Sequence, residues 1–186
     1  MILAFTGAGI SKDSGIDTFM ERPDVRDCLH RHYANTYPEE YRQVIKDLKK
    51  QIDKAKPNDA HLALREYNID IITMNIDGLH QKVGSSPLCL HGEMPANNEL
   101  VYSDKLQGKP VLYGDMAPNY GLAIEKVSAL TNTDVFLVVG VSKSTAISGQ
   151  LVAIAQYQQA EIIIINENAK VNVRKTLEKL KEENKC

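Results

Sequence analysis

Residues 2–6, ILAFT, run straight into the small residues Gly7, Ala8 and Gly9. A short apolar strand that ends in a glycine turn and feeds helix-compatible sequence opens a βα unit, so the rest of the chain must supply partner strands. Segments 70–74, 134–139 and 161–166 qualify, being brief, β-branched and bounded by Gly, Asn or Asp. Segments 88–91 and 111–113 are shorter candidates. Helical patterns lie between them. Residues 39–55 carry Tyr41, Val44, Ile45, Leu48 and Ile52 at helical spacing. Asn58 is placed to cap a helix running to Tyr67, since its side-chain oxygen can accept an orphan backbone N–H. Segments 120–131, 148–158 and 171–183 complete the set, and the terminal dozen residues read as a charged amphipathic helix that frays. Nearly continuous apolar strands alternating with helices predict an α/β fold, a parallel sheet covered on both faces.

Two stretches interrupt the alternation. Residues from about 21 to 57 hold helical pattern and no strand, which predicts a small helical module inserted after the first βα turn. Residues from about 92 to 109 are polar and irregular. The whole chain, residues 1–186, has the length of one domain. Its 22 basic and 24 acidic side chains leave a net charge of −2, which argues against nucleic acid as a partner. No apolar run is long enough to span a bilayer, and the first residues lack the basic and apolar regions of a signal peptide. Cys28, Cys89 and Cys186 are odd in number, widely spaced and without a CxxC pair. Reduced thiols in a cytoplasmic protein are therefore expected, with neither a disulfide framework nor a thiolate metal site.

Two segments carry chemistry. Gly7 and Gly9 allow a tight turn and close backbone approach to a ligand, and a helix starting near Ser11 would aim free N–H groups at a phosphate. The spacing is not the dinucleotide GxGxxG pattern, so phosphate binding and a purely structural turn both remain open. Residues 73–81, TMNIDGLHQ, follow a strand directly. Ligands of doubly wound sheets sit at strand carboxyl ends, where Asn75 and Asp77 could both face a crevice, or could cap a turn.

GAGISKDSGI, KPNDAHLAL, TMNIDGLHQ, LHGE, VLYGDMAP, VVGVSKS and IIIIN occur in this order between Thr6 and Asn166. The ordered set resembles the sirtuin family, the NAD-dependent protein-lysine deacylases. The resemblance implies a Rossmann-like doubly wound parallel sheet with a small helical insertion, NAD as cofactor and an acylated-lysine protein or peptide as partner. It also implies roles. Gly7, Ala8 and Gly9 match the loop along the pyrophosphate, and Phe19 the residue beside the nicotinamide ribose. Met74 stands at a ribose-contact position. Asn75, Ile76 and Asp77 match the triplet around the nicotinamide carboxamide, with Asn75 and Asp77 counted with the catalytic set. His91 matches the catalytic histidine. Gly140 and Ser142 match the loop beside the adenine-side phosphate and ribose, and Asn166 the adenosine ribose contact. Val111, Leu112, Tyr113 and Gly114 match the segment along which an acyl-lysine peptide lies as an added strand.

Three departures stand out. Met20 replaces a family arginine that contacts NAD, with Arg22 nearby as a possible substitute. Met74 replaces a glutamine that bonds the ribose. The family's zinc module is shortened to about residues 92–110 and has no cysteine, so no zinc is expected and the helical insertion alone should hold the small module. The changed contacts keep two other functions in view, an NAD glycohydrolase or ADP-ribosyltransferase and a catalytically weak NAD or ADP-ribose binding module. His91 with Asn75 and Asp77 speaks against the last, because a pure binder needs no positioned base.

Overall fold

The computed structural model describes residues 1–18, 20–142 and 145–183; Phe19 and Cys186 lie outside them, as does part of the VVGVSKS motif. Five strands form one parallel sheet: β1 (Ile2–Thr6), β2 (Asp70–Thr73), β3 (Leu88–Cys89), β4 (Val135–Val139) and β5 (Glu161–Ile165), in the order β3-β2-β1-β4-β5. β1 is central, with Phe5 opposite Ile72 on one side and Val138 on the other. Strand order reverses between β1 and β4, which opens a crevice at their carboxyl ends.

Alternate residues of each strand serve opposite faces, as a period of two requires. Ile2, Ala4, Ile71, Leu137 and Val139 pack with α4 (Asp59–Glu66) and α8 (Ala169–Glu182). Leu3, Phe5, Ile72, Phe136 and Val138 pack with α6 (Tyr120–Ser128) and α7 (Ala146–Tyr157). Both faces are covered, as the unbroken apolar strands predict. Asn58 caps α4 through the Ala60 N–H at 3.0 Å, and His61 Nδ1 accepts the Asn58 N–H at 3.3 Å to complete the capping box.

The interruption at 21–57 folds as α1 (Pro23–Cys28), α2 (Arg31–Thr36) and α3 (Pro38–Lys54). These helices enclose a third core of Val25, Leu29, Ala34, Tyr41, Ile45, Leu48 and Ile52, closed by Ile76 and Leu112. The expectation that the insertion stands alone is corrected here. The stretch after His91 forms a 3-10 segment, Asn97–Lys105, against α3, and Met94 and Leu100 pack on the same core. Arg31 ties the two pieces. It bonds Asp115 twice, at 2.8 and 2.7 Å, and the Asp104 and Leu106 carbonyls, each at 2.7 Å. Residues 111–113 form no sheet strand; Tyr113 makes a single parallel bridge to His30, because Leu29 and Arg31 take its backbone groups. No helix among the described residues is long and apolar enough to cross a membrane.

Candidate active site

The glycine loop has a different reason for its composition than ligand approach alone. Gly7 N–H bonds the Val139 carbonyl at 3.0 Å and Gly9 N–H the Gly140 carbonyl at 2.9 Å, locking the ends of β1 and β4 together. A Cβ on Gly9 would stand 2.6 Å from Gly140 Cα, and one on Gly140 2.3 Å from the Ile10 nitrogen. Neither Gly9 nor Gly140 has room for a Cβ. The expected helix from Ser11 is instead the 3-10 segment Ala8–Ser14, ended by Gly15 in the left-handed region at φ 80°.

Ser11 Oγ donates to Asp77 Oδ2 at 2.7 Å. Asn75 Nδ2 donates to the same carboxylate oxygen at 3.1 Å and to Ser11 Oγ at 3.2 Å, while the Leu79 N–H bonds Asp77 Oδ1 at 2.9 Å. Asn75 and Asp77 are thus both buried and satisfied by one another, rather than both turned into the crevice. Asn75 Oδ1 accepts no hydrogen bond among the described residues and is the acceptor left for a ligand. Ile76, between them, faces the small-module core. Sequence reasoning passed over Ser11 as a binding partner; its only signal was a buried-type hydroxyl one turn after the glycines.

Beneath this triad lies a buried polar column. Thr6 Oγ1 donates to Thr73 Oγ1 at 2.8 Å and meets His80 Nε2 at 3.0 Å, and the Asn75 N–H reaches Thr73 Oγ1 at 3.1 Å. The His61 and His80 rings lie 4.9 Å apart. Burial pushes the His80 imidazole down to about 3, reinforced by His61, and lowers His61 as well. Both act as neutral packing and capping groups.

His91 follows β3, whose register carries it to the end of β2 through the Leu90 N–H and Thr73 carbonyl at 2.8 Å. Its Nδ1 lies 3.1 Å from the Met74 carbonyl and its Nε2 2.9 Å from the Tyr120 hydroxyl. A carbonyl can only accept, so the proton of neutral His91 sits on Nδ1 and the lone pair on Nε2. Burial lowers its pKa, partly offset by the Met74 bond, which favours the neutral base. Tyr120, at the start of α6, was not anticipated as a site residue.

The two methionines are also located. The Met74 methyl carbon stands 3.2 Å from where a Gly7 Cβ would lie, and Thr145 Oγ1 donates to its sulfur at 3.6 Å. Met20 is 62% exposed. Arg22, the nearby arginine, pairs at the surface with Asp24 at 2.8 and 3.0 Å. Ser142 and Asn166 are exposed at the ends of β4 and β5.

Beside His91, the Val111 N–H bonds the His91 carbonyl at 2.9 Å. Leu112 is engaged by Asp115, and Tyr113 by Leu29 and Arg31. The open backbone edge of this segment is therefore the Val111 carbonyl and both groups of Gly114. That is a narrower edge than a four-residue strand offers. No group of three metal-ligating side chains occurs among the described residues.

A dinucleotide fits these residues in part. Asn75 Oδ1 offers an amide partner, Ser142 and Asn166 are exposed polar residues at the ends of β4 and β5, and Gly7–Gly9 present a surface free of long side chains. Among the described residues neighbouring the loop, Lys12 pairs with Glu21 at 2.7 Å and Arg22 with Asp24 at 2.8 Å, both at the surface.

Residues 7–109 match the Sir2 family. The chain is 32% identical to the NAD-dependent protein deacetylase of Bacillus anthracis, over 89% of this chain and 82% of that one. It is 30% identical to the NAD-dependent protein deacylase of Helicobacter pylori strain J99, over 76% and 72%. A Sir2 mutant in complex with a p53 peptide and NAD superposes with a TM-score of 0.76 at 26% identity, covering 96% of this chain and 92% of that one. The glycine-locked β1–β4 crevice, the Asn75–Asp77 loop and the histidine after β3 are thus met in a chain that belongs to the Sir2 family.

Proposed function

We propose that this protein removes acyl groups from lysine side chains of a protein or peptide in a reaction that consumes NAD. The observation that carries the reading is His91, held by the Met74 carbonyl in the tautomer that leaves Nε2 basic, beside the loop of Asn75 and Asp77. When bound, NAD supplies the ribosyl group that receives the acyl group, with nicotinamide as leaving group.

The chain's own residues divide the work. Asn75 Oδ1 receives a carboxamide N–H, and Asp77 fixes Asn75 and Ser11 rather than reacting. The surface of Gly7, Ala8 and Gly9, free of long side chains, lies along the pyrophosphate, and Ser142 and Asn166 contact the adenosine side. Phe19, outside the described residues, belongs to the nicotinamide ribose end by its motif. The Val111 carbonyl and Gly114 bond the backbone of the acylated peptide, with Leu112 and Tyr113 holding that edge in place. His91 accepts the proton of a ribose hydroxyl, for which a neutral imidazole at pH 7 is suited. A cytoplasmic setting is proposed on the odd number and wide spacing of the cysteines.

The test follows nicotinamide release from NAD with and without an acetylated peptide. Release that depends on the peptide, with transfer of the acetyl group, is the expected result. Equal release without peptide would replace the deacylase by a glycohydrolase, and no release would leave a binding module. His91→Ala is expected to lose acyl transfer by roughly 10²–10⁴-fold while NAD still binds.

A further inference from the structure

His91 Nε2 has one lone pair, and in this structure the Tyr120 hydroxyl occupies it at 2.9 Å. A base in that state cannot also accept directly from a substrate hydroxyl. Either the phenol leaves or the proton passes through it. The phenol is held. Tyr120 is the first residue of α6 and packs against the same core as Met74 and Leu88. The preceding residue, Asn119, donates to the Cys89 carbonyl at 2.8 Å and so ties the start of α6 to the end of β3.

We propose that Tyr120 is the proton relay between a substrate hydroxyl and His91, an inference that rests on the reading of His91 as the base. As the phenolic O–H bond breaks and its proton forms an N–H bond on His91 Nε2, the substrate O–H breaks and its proton forms the new phenolic O–H. Tyr120 ends neutral, His91 ends as imidazolium, and the substrate oxygen keeps the electron pair with which it attacks. The acid–base groups around the ring are Tyr120 and, behind it, Tyr113; no carboxylate or ammonium bonds the ring among the described residues. Burial raises the Tyr120 pKa, so the phenol is a donor at neutral pH.

The experiment compares the full chain with Tyr120→Phe and His91→Ala. In the protein without NAD, side-chain nitrogen NMR of His91 is expected to report Nδ1 protonated and Nε2 hydrogen-bonded in the wild type. In Tyr120→Phe the Nε2 bond is lost, the His91 pKa moves up, and the amide spectrum stays folded. With NAD and acetylated peptide, Tyr120→Phe is expected to lower deacylation at least about tenfold. Nicotinamide exchange, which precedes the proton transfer, stays within about twofold of wild type. The solvent-isotope dependence changes from two protons in flight to one. Deacylation within about twofold of wild type, or equal losses of exchange and deacylation, would overturn the relay. If His91→Ala loses deacylation and Tyr120→Phe does not, the relay alone fails. If His91→Ala retains it, the reading of His91 as the base fails and the relay with it.

Discussion

Ser11 Oγ lies 2.7 Å from Asp77 Oδ2, so the turn after β1 and the turn after β2 are joined by one charged hydrogen bond beneath the crevice. Both residues are buried, and a bond of this type to a charged group contributes about 1.5–3 kcal/mol. Ser11→Ala leaves Asp77 with two donors and frees one of the Asn75 amide hydrogens. The expected outcome is a loss of about 2 kcal/mol in denaturant unfolding and roughly tenfold slower nicotinamide exchange. Unchanged exchange in a folded Ser11→Ala protein would separate the triad from the ligand.

Met74 is expected to weaken NAD binding because a thioether accepts hydrogen bonds poorly. Thr145 Oγ1 already points at its sulfur. Met74→Gln would give that hydroxyl a carbonyl acceptor and turn an amide N–H toward the ribose end. Calorimetry should find NAD affinity higher by about three- to tenfold, the worth of one net hydrogen bond. Met20→Arg, at an exposed position, adds to this if it reaches the phosphates; lower affinity in both variants would mean a pocket rebuilt around sulfur.

Arg31 is the tie between α2 and the segment that carries the peptide edge. Breaking it leaves Asp115, whose carboxyl Arg31 holds below its usual pKa, with a lost partner in a largely buried position. Arg31→Ala is expected to destabilise the small module by about 3 kcal/mol. Limited proteolysis should then cut between residues 97 and 115 first, and the KM for peptide should rise more than the NAD dissociation constant. Proteolysis indistinguishable from wild type would refute the tie.

The His61–His80 pair sets an acid limit on the fold. Both pKa values are lower folded than unfolded, so their contribution is complete above about pH 6.5. It is lost as pH falls from there toward the folded value, about 3 for His80. Between the two, the unfolded chain binds the extra proton, and each histidine held neutral costs about 1.4 kcal/mol per pH unit. Denaturant midpoints should therefore fall steadily between pH 6.5 and 5, and His80→Gln should flatten the slope. A midpoint independent of pH over that range would contradict the assignment.

The strands, both covered faces and the helical insertion follow from periodicity, because burial on two sides leaves an unbroken apolar run in the sequence. Asn58 was equally legible, since capping is local; of the two readings open for Asn75 and Asp77, the structure shows the turn, with Asp77 Oδ1 accepting the Leu79 N–H. His91 was marked by its motif, but its tautomer depends on a Met74 carbonyl 17 residues away in sequence and on a tyrosine 29 residues away. Ser11 against Asp77, Arg31 against Asp115 and Gly9 against Gly140 are of the same kind. Each residue carries a local reading of its own, as helix start, surface charge or flexible turn. The sheet order brings the ends of β1, β2 and β4 together, and packing of α2 and α3 brings the 97–115 segment under Arg31. Sequence by itself determined which segments become strands and helices, because those preferences act over a few residues. Which polar groups share a proton or a carboxylate was decided only by the tertiary structure, because a hydrogen bond needs about 3 Å of approach that no spacing along the chain encodes.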